Sequence, residues 1–166
     1  IKCNPAVKSA ADQHALLDAV RNDVLDIIAT DHAPHTWEEK QNSYFKAPSG
    51  VPLVQHSLQA LLELYHNGVF SLETIVKKTS HAVAERFQVQ DRGYIREGYF
   101  ADLVLLDLGK PYVVTDSNLL YLCGWSPFNG YRFQSTIEMT LVNGQIAWQN
   151  GQVTDKVLGK RLTFNR

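Results

Sequence analysis

The chain has 166 residues, 45% hydrophobic and 20% charged, the composition of a globular protein with a core and not of a disordered, collagenous or disulfide-stapled one. Sixteen Lys plus Arg against seventeen Asp plus Glu leave a formal net charge of −1, so no sequence-wide basic field exists to attract nucleic acid or an anionic membrane. There is no apolar run of about 18 residues and no charged n-region followed by an apolar h-region, which argues against a membrane span and a signal peptide; Cys3 and Cys123 lie outside any C-x-x-C pattern and read as free, reduced thiols of a cytoplasmic protein.

The chain opens at Ile1 inside what reads as a working motif, and is expected to be a piece of a longer polypeptide. Ser9 with Asp12 three positions on reads as an N-cap, and Leu16, Leu17 and Val20 recur at helical spacing until Asn22. Residues 24–30, Val-Leu-Asp-Ile-Ile-Ala-Thr, are short, mostly apolar and partly β-branched, which predicts a strand buried on both faces of a parallel sheet and ending at Asp31. Val54, Leu58, Leu61, Leu62 and Tyr65 share one helical stripe that Gly68 is placed to stop. Ser71 then caps a third helix through Leu72, Ile75 and Val76, with Val83 and Phe87 continuing its packing after a bend near Ser80.

From Gly93 the pattern changes to glycine-punctuated strands over 93–98, 101–107 and 112–115. Asn143-Gly144 suits a type I′ turn, and a two-residue hairpin there sets Leu141 opposite Ile146 and Met139 opposite Trp148. No internal repeat or low-complexity stretch is visible.

Asp31-His32-Ala33-Pro34-His35 is the densest ionisable cluster, and it follows the predicted buried strand directly. In parallel α/β folds catalytic side chains stand at the carboxyl ends of strands, where loops can surround a substrate. Asn4 lies 27 positions earlier, close to the roughly 31 residues of one (β/α) repeat, so Asn4 and Asp31 are expected on the rim of one pocket. A carboxylate at such a rim can ligate a divalent metal and also move a proton from water to a leaving nitrogen. Read as residues alone, Asp31 could equally cap a turn, with His32 and His35 as polar loop residues. Pro34 argues against a helix presenting both histidines to one metal, and His-Glu-x-x-His, Gly-x-Ser-x-Gly, Gly-x-Gly-x-x-Gly and Walker motifs are missing. His14, His56, His66 and His81 fall in or at the ends of predicted helices, as solvent-facing or core-satisfied side chains, and Trp37, Trp125 and Trp148 read as packing residues.

Residues 28–35, Ile-Ala-Thr-Asp-His-Ala-Pro-His, followed by Glu38-Glu39-Lys40, resemble the second signature of dihydroorotases and related cyclic amidohydrolases. Lys2-Cys3-Asn4-Pro5 resembles the motif one repeat before it. Ala47-Pro48-Ser49-Gly50, Gly93-x-Ile95-x-x-Gly98-x-x-Ala101-Asp102-Leu103-Val104, and Ser126-Pro127-Phe128-x-Gly130 ahead of Val142-Asn143-Gly144 carry the likeness over nearly the whole chain. The resemblance implies an α/β fold: the C-terminal part of a metal-dependent (β/α)₈ amidohydrolase barrel over residues 1–90, then strands of a composite β-sandwich over 91–166.

It further implies one or two zinc ions, with Asp31 both metal-associated and catalytic and the remaining ligands upstream of Ile1. Asn4 and His35 match positions that bind the substrate's polar groups, and Ser49-Gly50 matches the loop whose backbone closes over it. The implied reaction interconverts N-carbamoyl-L-aspartate and dihydroorotate. Hydantoinase- or allantoinase-type hydrolysis and a non-catalytic scaffold subunit are the alternatives. The expected partners are a small-molecule substrate, the missing N-terminal part of the polypeptide and, in a homo-oligomer, further copies of it, with neither nucleic acid nor membrane.

Overall fold

Ser9 caps the first helix, α1 (Ala10–Arg21), as its spacing to Asp12 requires: Asp12 N–H donates to Ser9 Oγ at 3.3 Å, and Ser9 N–H donates back to the Asp12 carboxylate at 3.0 Å. The computed structural model describes residues 2–154 and 159–165. A one-turn helix α2 (Trp37–Lys40) follows, closed at its start by a second reciprocal cap between Thr36 and Glu39. Helix α3 (Ser57–His66) carries the predicted stripe, starting later than Val54, which lies in the preceding turn and is exposed. Ser71 caps α4 (Leu72–Val76), and a π-helical turn at Lys77–His81 leads into α5 (Ala82–Phe87), so the bend expected near Ser80 is a change of helical pitch. None of these helices is long and apolar enough to cross a membrane.

The predicted strand over 24–30 is not a ladder-bonded strand. It bends at Val24 and Leu25, takes no regular structure over residues 26–30 and lies beside no other strand among the described residues, and Val24 and Leu25 are exposed instead of buried. A run without a neighbouring strand must place its polar groups elsewhere: Val24 and Leu25 N–H donate to Ala19 C=O, and Lys78 takes two more. Ile28 N–H donates to Lys78 C=O at 3.1 Å, while the buried Lys78 ammonium donates to Leu25 C=O and lies 2.8 Å from the Asp23 carboxylate. Hydrogen bonds from Lys77, first, and from Lys78 hold Asp23 down at a pKa of about 2.

All described strands lie C-terminal to α5. β1 (Leu103–Asp107), β4 (Thr136–Val142), β5 (Gln145–Gln149) and β6 (Gln152–Val153) form one antiparallel sheet in the order β1-β4-β5-β6, and β2 (Tyr112–Val113) pairs with β3 (Arg132–Phe133). The strand expected at 93–98 is a loop that bonds to itself, through Phe100 N–H to Asp91 C=O at 2.9 Å and Tyr99 N–H to Arg96 C=O at 3.1 Å. At the β4–β5 hairpin Asn143 and Gly144 both take left-handed backbone, φ 52° and 78°, as a type I′ turn demands. Leu141 pairs with Ile146 as expected; Met139 does not pair with Trp148, because the register shifts after Leu141 and sets Thr140 opposite Trp148 and Met139 opposite Gln149. Ala147 is the extra residue of that bulge, and it moves every later pair by one.

Two packed regions hold the chain together. Val20, Leu62, Phe70 and Ile75 form an aliphatic core that Ile28, Leu58, Leu106 and Leu108 flank, joining helices to β1. Beside it His56 sits at 0% exposure among Tyr112, Tyr121, Phe128 and Phe133, its ring stacked on Phe133 at 6.0 Å between centroids. Its Nδ1 faces Ser126 Oγ at 3.4 Å and Tyr121 Oη at 3.5 Å, and its Nε2 has no hydrogen-bond partner among the described residues. Burial disfavours the imidazolium and sets the pKa below the ordinary 6.5. The unfolded chain therefore takes up this proton at a higher pH than the folded one, and stability that is complete above 6.5 declines as the pH falls below it. Urea midpoints of the protein measured at about pH 8 and pH 5 should show this loss, and His56→Gln should shrink it; the same loss in both proteins would clear His56 of responsibility.

Candidate active site

Three separated stretches of chain meet around α2. Ala33 N–H donates to Val51 C=O at 3.1 Å, Gly50 N–H donates to Lys2 C=O at 2.9 Å, and the Lys2 ammonium donates to Ala47 C=O at 2.9 Å. The loop 47–51 is thus sewn on one side to the segment leading into Asn4 and on the other to the segment after Asp31. Lys40, the last residue of α2, completes the junction: its ammonium donates to Pro48 C=O and Gly50 C=O at 2.8 Å each and to Lys2 C=O at 3.3 Å.

Gly50 cannot be another residue here without rearrangement. Its φ of +104° is a conformation L side chains avoid, and an added Cβ would stand 2.4 Å from Ala33 Cβ. Close backbone approach between the loop and the Asp31–His35 segment is what this glycine allows.

Asp31 ends the run with a left-handed backbone, φ 43°, which Asp tolerates better than most residues. Asp31 is exposed, and among the described residues it has no hydrogen-bond or ion-pair partner. Its neighbours are held tightly by contrast. His32 Nδ1 accepts from Leu53 N–H at 3.0 Å and from Val54 N–H at 3.3 Å, which fixes Nδ1 as the unprotonated nitrogen and leaves the ring against Tyr121 at 5.4 Å. His35 has its C=O bound by Trp125 Nε1–H at 2.8 Å, and its Nδ1 faces Glu39 at 3.5 Å.

Of the sequence-predicted site residues, His35, Ser49 and Gly50 are half-buried and Asn4 is exposed. Lys2, two positions before Asn4, bonds directly to the Ser49-Gly50 loop, so the same small junction gathers Asn4's segment, the loop and the Asp31–His35 segment. The N–H and C=O of Gly50 are both engaged, whereas Asn4 and Ser49 make no hydrogen bond among the described residues.

Two contributors escaped the sequence reading. Lys40 was visible only as part of a signature, and nothing in its spacing announces three carbonyl partners. Trp125, expected to pack, does rest on Trp37 at 5.6 Å between centroids, but its indole N–H also reaches back ninety positions to His35. Among the described residues no three His, Cys, Asp or Glu side chains gather where they could hold a metal ion.

With this geometry in view the comparisons with known proteins become specific. The model of the amidohydrolase family matches residues 3–147. The chain belongs to the amidohydrolase family. Curated relatives of this amidohydrolase chain include the dihydroorotase of Halobacterium salinarum, 36% identical over 92% of the chain and 36% of the relative, and that of Endomicrobium trichonymphae, 35% identical over 89% and 35%. The allantoinase of Desulfitobacterium hafniense is 30% identical over 97% of the chain and 36% of the relative. Among solved structures, the L-hydantoinase from Arthrobacter aurescens superposes with a TM-score of 0.86 at 29% identity, over 92% of this chain and 35% of the other. The chain thus spans about a third of the length of these relatives.

The contact at Gly50 can be measured. Gly50→Ala should lower the protein's unfolding free energy by on the order of 1–3 kcal/mol, from left-handed strain plus the methyl contact with Ala33. Adding Ala33→Gly removes the contact and should return part of that loss in urea unfolding; no return would show that the methyl–methyl approach is not the cause.

Proposed function

We propose that the polypeptide carrying this chain is a cyclic-amide hydrolase, and that its substrate pair is dihydroorotate and N-carbamoyl-L-aspartate. The observation that carries this reading is the partnerless, exposed Asp31 carboxylate on a left-handed turn, flanked by two anchored histidines. The loop 47–51 is fastened against the next turn of the chain, at Ala33. A carboxylate kept clear of internal partners in an otherwise well-bonded junction costs local backbone freedom and contributes nothing to packing, as expected of a group reserved for chemistry. The two dihydroorotases at 35% and 36% identity support the same reading.

In this reading water adds to the ring carbonyl carbon and the ring C–N bond breaks. Asp31 takes one proton from the attacking water and delivers it to the departing amide nitrogen, and the new carboxyl group gives up the water's second proton to solvent, leaving a carboxylate and a ureido group. His35, oriented by Trp125 and Glu39, and Asn4 bind the substrate's polar groups, while the Ser49-Gly50 loop covers it. Residues 1–90 are then the end of the family's barrel and 91–166 a contribution to a β-sandwich, a division supported by helices that stop at Phe87 and strands that begin at Leu103. The zinc that the resemblance implies has one candidate donor here, Asp31, and the described residues do not complete a site for it. No step above is therefore assigned to a metal.

A second reading has its own support. The allantoinase at 30% identity and the L-hydantoinase at a TM-score of 0.86 favour five-membered cyclic ureides as substrates of the same carboxylate. Assaying the full-length protein with dihydroorotate, carbamoyl-aspartate, hydantoin and allantoin separates the two, and preference for the first pair is the expected result. Asp31→Asn should lower kcat by at least on the order of 10²-fold while near-UV circular dichroism stays unchanged, the minimum for losing a general acid–base group. Wild-type-like turnover in that variant would remove Asp31 from the reaction.

A further inference from the structure

The loop 47–50 is bound at every backbone position except its apex. Ala47 C=O is taken by the Lys2 ammonium, Pro48 C=O and Gly50 C=O by the Lys40 ammonium, and Gly50 N–H by Lys2 C=O. Ser49 alone makes no hydrogen bond among the described residues, and it sits between the two carbonyls that Lys40 holds at 2.8 Å.

An ammonium has three N–H groups. Lys40 spends them on Pro48, Gly50 and Lys2, so it has none left for a substrate anion and does not act as a binding cation. Charge-assisted bonds of this kind are shorter and roughly twice as strong as neutral ones, and here they converge on carbonyls drawn from two separate stretches of chain. Lys40 itself is anchored in α2, whose neighbouring Glu39 faces His35 at 3.5 Å. One helical turn thereby sets the spacing between His35 on one side and the Ser49 apex on the other.

We infer that Lys40 is a positioning residue: by gripping the carbonyls on either side of Ser49 it holds the unpaired N–H and hydroxyl of Ser49 in a fixed place, ready for the substrate. This rests on the reading above in one respect, that the 49–50 loop meets the substrate. Neither Arg nor a neutral side chain can stand in for Lys40, because a guanidinium spreads its donors in a plane and cannot point three of them at converging carbonyls.

The test uses the full-length protein and two measurements. In Lys40→Met the amide of Gly50 should exchange with deuterium at least about tenfold faster, with amides around His56 unchanged, and KM for dihydroorotate should rise about tenfold or more while kcat moves less than about threefold. Lys40→Arg, which keeps charge and length, should show the same rise in KM in a protein with wild-type thermal stability, so a misfolded Met variant does not decide the matter. Unchanged exchange at Gly50 in Lys40→Met would overturn the clamp, and so would wild-type KM in Lys40→Arg. Faster exchange with unchanged KM would overturn its role in holding substrate. A wild-type protein that turns over none of the four substrates would sink the functional reading instead, while the exchange measurement still upholds or overturns the clamp.

Discussion

A single ammonium group, that of Lys40, is the constraint on which the site depends. Its three donors reach Lys2, Pro48 and Gly50, bracing two stretches that the Gly50 N–H to Lys2 C=O bond and the Lys2 ammonium to Ala47 C=O bond also join. Loops carry function only when something rigid aims them, and here the rigid element is a helix of one turn. Such a helix has no propensity worth the name on its own. It persists because Thr36 and Glu39 satisfy each other's backbone donors at its start and because Trp37 lies on Trp125. Capping, aromatic contact and cation thus form one dependent series, each holding the next in place.

A second set of bonds ties the C-terminal half to the same junction. Gln55, just ahead of α3, donates from its backbone to Tyr121 Oη at 2.9 Å and from its side chain to Asn118 C=O at 2.8 Å, and accepts from Leu120 N–H at 2.8 Å. Tyr121 in turn lies against His32 and His56. The aromatic region around His56 therefore lies beside the His32–Leu53 contact, and Asn118, Leu120 and Tyr121, on the chain between β2 and β3, are tied to Gln55, 63 to 66 positions before them.

Local chemistry was the legible part of the sequence. Ser9 and Ser71 depend on partners within four residues, and the Asn143-Gly144 turn on the left-handed backbone those two residue types tolerate, so reading them needed no knowledge of the fold. The hairpin register held for as long as it was local and failed at Ala147, where a bulge that no composition announces inserts one residue. The run at 24–30 shows the opposite limit. Its apolar, β-branched composition called for a buried strand, yet a strand needs a partner strand, and among the described residues the backbone groups of this run bond to Ala19 and Lys78 instead. Asp31 and Asn4 could be nominated from residue type and spacing, and His35, Ser49 and Gly50 from the resemblance of their motifs. Lys40 and Trp125 could not, since what matters in them is a donor pointed at a carbonyl eight or ninety positions away.

The Trp125 indole has one further consequence. It donates to the main chain at His35 and not to a side chain, so what it recognises is the path of the backbone and not the identity of the residue there. Swapping the distal portion of this polypeptide for that of a relative would preserve the histidine in every letter and still displace it, unless the graft brought an N–H of similar reach. Part of the geometry around His35 is in that sense written outside the segment that spells the signature.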